Sequence, residues 1–109
     1  MKNDLKVPKD CLNISSTLAA IGGKYCCSIL YLLANHGGSI RFNELKHSIG
    51  DIPCKTLSST LKKMEEDELL LRTEYPQIPP RVEYSLTEKG LSLLPVLNAM
   101  CQWGTNHST

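Results

Sequence analysis

The apolar residues of this chain change period at Leu69 and again at Thr87, and that change limits the folds open to it. Upstream, Cys54, Leu57, Leu61 and Met64 recur at the spacing of one helical stripe. From Leu69 the pattern alternates: Leu69, Leu71 and Thr73 against Leu70, Arg72 and Glu74, then Val82, Tyr84 and Leu86 against Glu83 and Ser85. Two alternating runs joined by "YPQIPPR" read as a hairpin. Its prolines cannot donate to a ladder, so the tip stays stiff and unpaired. Thr87 then offers an N-cap hydroxyl for a last helix running to about Asn106.

The upstream half is punctuated by glycine. Residues 1–10 are polar, carry Pro8, and read as a flexible arm. "ISSTLAAIGG" predicts a short helix with Leu18 and Ile21 inward, and "KYCCSILYLLANHGG" a longer one closed by Gly37 and Gly38. In the longer helix Cys26, Ile29, Leu30 and Leu33 fall on one stripe. "SIRFNELKHSIG" predicts a short extended piece and a short helix with Phe42, Leu45 and Ile49 inward. Gly50 and Asp51 turn the chain, and Pro53 suits the first turn of the next helix because it needs no donor there. The order helix, helix, small strand, helix, helix, hairpin, helix is that of a winged helix-turn-helix domain with an extra helix at each end. The fold class expected is therefore mainly α with a small β-hairpin (α+β). The 109 residues make one domain. Its recognition helix spans about 53–68, its wing about 69–86, and its C-terminal dimerisation helix about 87–106, all within residues 11–109.

Formal net charge is only +1, so a charged partner has to be argued from local clustering. Pro53 to Lys63 holds three lysines, four hydroxyl residues and no acid, whereas Met64 to Glu68 holds four acids and no base. Opposite the apolar stripe lie Lys55, Ser59 and Lys62, flanked by Thr56 and Lys63. Lysines and small hydroxyls on one exposed face suit insertion into the major groove of double-stranded DNA. The acids then belong to the end that points away. The same pattern also describes a solvated face on an ordinary core helix. The hairpin that follows favours the DNA reading, with Arg81 ending a stiff loop that touches backbone or minor groove; the alternative is an exposed arginine on a plain connection.

The last segment carries Leu91, Leu93, Leu94, Val96, Leu97, Met100, Cys101 and Trp103, too much apolar circumference for one face against a small domain. Pro95 should bend or divide that helix. The surplus is most simply buried against a second copy through Leu91, Leu94, Leu97, Met100, Cys101 and Trp103, giving a homodimer; the alternative is a helix that wraps its own core. Two-fold symmetry implies a pseudo-palindromic operator with half-sites about one DNA turn apart.

No apolar run approaches the roughly 20 residues of a membrane span, and the start lacks a secretory signal, so no membrane is expected and the chain reads as cytoplasmic. The five cysteines are an odd number without the spacing of a disulfide framework. Cys26 and Cys54 fall on apolar stripes and are expected in the core. His36, His47 and His107 have no ligand spacing to the cysteines, so neither metal nor cofactor is expected. No phosphate loop, paired catalytic carboxylates or Ser/His/Asp set is legible, and no catalytic residue is assigned.

The chain resembles the HxlR-type winged helix-turn-helix regulators of bacteria. The resemblance rests on Cys11, "IGGKY" (Ile21 to Tyr25), "RFNELK" (Arg41 to Lys46), the leucines of "KTLSSTLKKMEEDELLLR", "PPRVEYSLTEKG" (Pro79 to Gly90) and "WG" at 103 to 104. It implies a sequence-specific, dimeric DNA-binding transcription regulator that is not an enzyme. It places Lys55, Thr56, Ser59, Lys62 and Lys63 on the recognition helix and Arg81 in the wing. Arg41, before the supporting helix, would reach a phosphate or form a surface salt bridge. Two positions depart from the pattern: Tyr25 where tryptophan is usual, and Pro53 where a serine cap is common. Members of this family include some that respond to oxidants or electrophiles through the arm cysteine, which Cys11 matches. Lys9 and a helix start would favour its thiolate, and Asp10 opposes them; Cys101 of a second copy is a candidate disulfide partner. Two further alternatives are a winged-helix module that binds protein and a regulator that answers to a small-molecule inducer.

Overall fold

The computed structural model describes residues 13–108. The expected arm and its Cys11 lie outside them. Nine elements follow in order: α1 (Asn13–Ile21), α2 (Cys26–His36), β1 (Ile40–Arg41), α3 (Phe42–Ile49), α4 (Cys54–Glu66), β2 (Leu70–Tyr75), β3 (Arg81–Leu86), α5 (Glu88–Ser92) and α6 (Leu94–His107). The two-residue β1 joins the hairpin to make a three-stranded antiparallel sheet of order β1-β3-β2. Its register sets Ile40 opposite Tyr84 and Arg41 opposite Glu83, while β2 and β3 pair from Leu70–Leu86 to Tyr75–Arg81.

Helices α2, α3 and α4 bury one stripe each against one face of this sheet. Ile29, Leu30, Leu33, Leu45, Leu57, Leu61, Met64 and Leu69 are fully enclosed, joined by Ile40, Ile52, Leu70, Tyr84 and Leu97. Each such side chain contributes about 1.5–3 kcal/mol by leaving water. The glycine stop of α2 is as the sequence implies: Gly37 sits at φ 77° and its N–H bonds the Leu33 carbonyl.

Three inward assignments are corrected. Leu18 is 53% exposed, because α1 meets the body only at its C-terminal end, where Ile21 is buried. Cys54 is exposed. It opens α4 at a point beyond the core, and Ile52 in the preceding turn, 2% exposed, takes the inward place. Leu71 is also exposed, because the alternation starts one residue later than the pattern implies. The reason lies at the end of α4. Glu68 adopts φ 63°, Leu69 N–H bonds the Met64 carbonyl, and Glu68 N–H bonds the Glu65 carbonyl. That is a Schellman close, with Leu69 and Met64 as its apolar contact. Leu69 therefore belongs to the helix stop, and both Leu69 and Leu70 turn inward.

The C-terminal helix is divided. Thr87 caps α5 by accepting from the Gly90 N–H at 3.0 Å. Pro95 stands in the first turn of α6, where a missing donor costs nothing. α5 lies so close to the start of the wing that a Cβ on Gly90 would collide with the Leu69 carbonyl oxygen. Thr87 Oγ1 and Lys89 Nζ also donate to the carbonyls of Glu68 and Asp67. The end of α4, the root of the wing and α5 thus form one joint. Among the described residues no single helix is long and apolar enough to cross a membrane.

Candidate nucleic-acid interface

Helix α4 is held from behind by buried Leu57, Leu61 and Met64, which fixes what faces out. Lys55, Ser59 and Lys62 are exposed on the opposite side, a ridge of about 10 Å given a 1.5 Å rise per residue. Thr56 is half-buried beside it; its carbonyl accepts from Ser59 Oγ at 3.1 Å and Thr60 Oγ1 at 2.7 Å. α3 and α4 are joined through Gly50, at φ 98°, and Ile52, whose N–H bonds the Gly50 carbonyl at 2.8 Å. Burying Ile52 sets the angle between the two helices.

Lys63 does not project with the ridge. Its Nζ donates to the Ala19 carbonyl at 2.8 Å and to Asp67 Oδ2 at 3.0 Å. It ties α4 to the last turn of α1, where carbonyls lack helical partners. The acidic end of α4 is accordingly partly used within the protein.

Arg81 is also engaged, with its side chain only 31% exposed. Its guanidinium lies over the Tyr75 ring, 4.2 Å from the centroid, and its Nε is 3.2 Å from Glu83 Oε2. Arg41 reaches the same oxygen at 3.9 Å, so the salt bridge weighed for it is present in loose form. Arg41 also heads α3, its backbone N–H donating to Glu44 Oε1 at 3.3 Å. Between the head of α3, α4 and the wing runs a cleft of about 600 Å³ whose walls include Arg41, Asn43, Ser58, Arg72, Arg81 and Tyr84. The sequence reading missed Asn43, Ser58 and Arg72. Arg72 was findable: it pairs with Tyr84, a core-facing position, so alternation aims it at the helices rather than outward.

The terminal helices carry the other exposed surface. Leu97 is 3% exposed and belongs to its own protomer's core, and Leu94 is half-buried. Tyr31 Oη donates to Asn98 Oδ1 at 2.6 Å, pinning the first turns of α6 to α2. Beyond that bond Met100, Cys101 and Trp103 are exposed, Trp103 to 66%, as is Leu91 on α5. Ile14 and Leu18 of α1 are exposed apolar residues too. Among the cysteines, Cys26 is enclosed and its thiol donates to the Ala20 carbonyl at 3.6 Å; burial, and secondarily the neighbouring Cys27, push its pKa up to about 11. Cys101 is exposed and Cys27 half-buried. Among the described residues no three His, Cys, Asp or Glu side chains converge as a metal site.

Two helices joined by a tight turn, the second bearing a lysine ridge and followed by a stiff hairpin, define a winged helix-turn-helix domain of the DNA-binding kind. The chain matches the HxlR-like helix-turn-helix family over residues 20–109 and belongs to it. It is a transcriptional regulator of that type. An HTH-type transcriptional regulator of Halalkalibacterium halodurans is 56% identical over 91 residues, 84% of this chain and 80% of that one. Among solved structures, the redox regulator HypR in its oxidized form aligns with a TM-score of 0.76 at 36% identity, over 88% of this chain and 97% of that one. The reduced form of the transcriptional regulator YodB from B. subtilis aligns at 0.77 and 31%, over 95% and 96%.

Proposed function

We propose that the protein acts in the cytoplasm as a homodimer that binds a pseudo-palindromic operator, with the Lys55, Ser59 and Lys62 ridge of each copy in a major groove. The observation that carries this is the pairing of two exposed surfaces in one small chain: a basic ridge on α4, and an apolar stretch on α6 past Leu97. Thr56 sits beside the ridge, while Arg41 and Arg81 border the cleft at its edge. Met100, Trp103, Cys101 and Leu91 supply the dimer surface, with Ile14 and Leu18 of α1 extending it. Leu94 and Leu97 support that surface from within the protomer. Two such helices packed together suit an obligate interface of the 2,000 Å² or larger class, which is more apolar than transient ones. Light scattering on Met100→Glu/Trp103→Glu tests the dimer. The wild type is expected to run at twice the chain mass and the variant at the chain mass, with operator binding lost. A wild-type monomer that binds operator would overturn it.

The likeness to HypR, described as a redox regulator, favours a second element, response to thiol oxidants. Cys101 is exposed on the dimer surface, whereas Cys26 is buried and held protonated. Cys11 is the proposed reactive thiol and Cys101 of the other copy its resolving partner. A non-reducing gel after diamide should show a covalent dimer that Cys11→Ser abolishes; an unchanged band pattern in that variant would exclude the assignment.

A further inference from the structure

Glu83 is an acid where a DNA-binding edge calls for bases. It sits in the central strand β3, with Arg41 of β1 and Thr73 of β2 as its register partners, and its side chain is 15% exposed. Its Oε2 lies 3.2 Å from Arg81 Nε and 3.9 Å from Arg41 Nε. Its Oε1 accepts from Ser39 Oγ at 2.9 Å. The Tyr75 ring holds the Arg81 guanidinium on its flat side, 4.2 Å from the centroid. Arg81 Nε is buried and, among the described residues, donates no hydrogen bond, so the contact to Glu83 is an ion pair. Both arginines meet the carboxylate through Nε, which leaves the outer nitrogens of each planar fork for a second anion. Both also line the cleft beside Ser58 of α4.

We propose that Glu83 is a positioning residue for DNA binding. Its carboxylate gathers an arginine from the wing and an arginine from the head of α3, and so presents two guanidinium forks to backbone phosphate. The proposal rests on the DNA-binding reading above. Two effects of opposite sign compete at this position. The carboxylate repels phosphate, but across solvent that repulsion is largely screened beyond a Debye length of about 8 Å at physiological salt. Each arginine held in place to neutralise a phosphate releases counterions and contributes a salt slope of about −0.9, which corresponds to roughly fivefold in affinity at 0.15 M. Positioning therefore outweighs repulsion, and removing this acid should weaken binding to an anion.

The test uses the full chain and a labelled duplex that the wild type enriches from a random pool, with affinity read by anisotropy from 50 to about 200 mM salt. Glu83→Gln keeps the acceptor for Ser39 and loses the charge that holds the arginines. It is expected to bind roughly 5- to 30-fold more weakly at 0.15 M, with a salt slope shallower by about one to two. In an Arg41→Ala/Arg81→Ala background the same change should cost nothing or improve binding, since only repulsion remains. Glu83→Gln binding as well as or better than wild type would overturn the proposal, as would an equal loss without the arginines. Should Glu83→Gln fail to fold, Ser39→Ala carries the test: a smaller loss that depends on both arginines supports the role, and unchanged binding overturns it. A Lys55→Ala/Lys62→Ala variant run alongside separates the two levels. If it binds like wild type, the recognition-helix reading fails; if it loses binding while Glu83→Gln does not, only the role of Glu83 fails.

Discussion

Replacing Lys55 and Lys62 by alanine removes the two exposed ammonium groups of the α4 ridge without touching its buried stripe of Leu57, Leu61 and Met64. If each neutralises one phosphate, the slope of log K against log salt becomes shallower by about 1.8 for the pair. Referred to 1 M salt, that slope corresponds to a loss of about 220-fold at 0.05 M, about 30-fold at 0.15 M and about 18-fold at 0.2 M. The penalty should therefore shrink roughly 12-fold between the lowest and highest of these salts. Anisotropy titrations of a selected duplex at each salt give both the loss and the slope. Lys63→Ala is the internal control. It breaks the Nζ contacts to the Ala19 carbonyl and Asp67, so it should lower the melting temperature while leaving the slope within error of wild type. A double variant with the wild-type slope, or a Lys63 variant with an equally reduced slope, would refute this division of labour.

Other expectations follow from the packing. Glu68→Gly relieves a left-handed backbone at the α4 stop and should stabilise the fold by roughly 0.5–1 kcal/mol, raising the melting temperature by a few degrees. Gly90→Ala drives a methyl group into the Leu69 carbonyl and should cost about 1–3 kcal/mol by urea titration. Leu57→Ala, fully enclosed behind the ridge, should cost about 2–5 kcal/mol and weaken DNA binding only through lost fold. Cys26 has a folded-state pKa near 11 against an ordinary value of 9.0, so its proton is held more tightly in the fold. Its contribution to stability should be complete below pH about 9 and decline as pH rises towards 11. Cys26→Ala should flatten that alkaline loss, and an unchanged profile would remove the cause.

Much of the frame was legible because glycine, proline and apolar period coincide along the chain. The stripe Cys26, Ile29, Leu30 and Leu33 is buried throughout, Gly37 closes its helix, Thr87 caps α5 and Pro95 marks the division of the last helix. Periodicity failed where an element begins or ends. Cys54 sits at helical spacing from Leu57, yet it lies at the first residue of α4, where the helix has not reached the core. Leu71 alternates correctly with Leu70, but the Schellman close at Glu68 shifts the strand start and reverses its face. The ridge Lys55, Ser59 and Lys62 followed from the stripe behind it. The tethering of Lys63 did not, because Ala19 lies 44 residues away and its carbonyl has no signature in sequence. Arg81 was placed by its position after the prolines, whereas its attachment to Glu83 and Tyr75 depends on strand register, which alternation alone leaves open.

Hydroxyl-radical footprinting of the wild type on a duplex enriched from a random pool tests the central claim most directly, that two copies read DNA through paired α4 ridges. The expected result is protection in two symmetric patches centred about 10 base pairs, or a multiple of that, apart. Lys55→Ala/Lys62→Ala should weaken both patches together. A single continuous patch without symmetry, or protection that survives the double substitution at physiological salt, would contradict it.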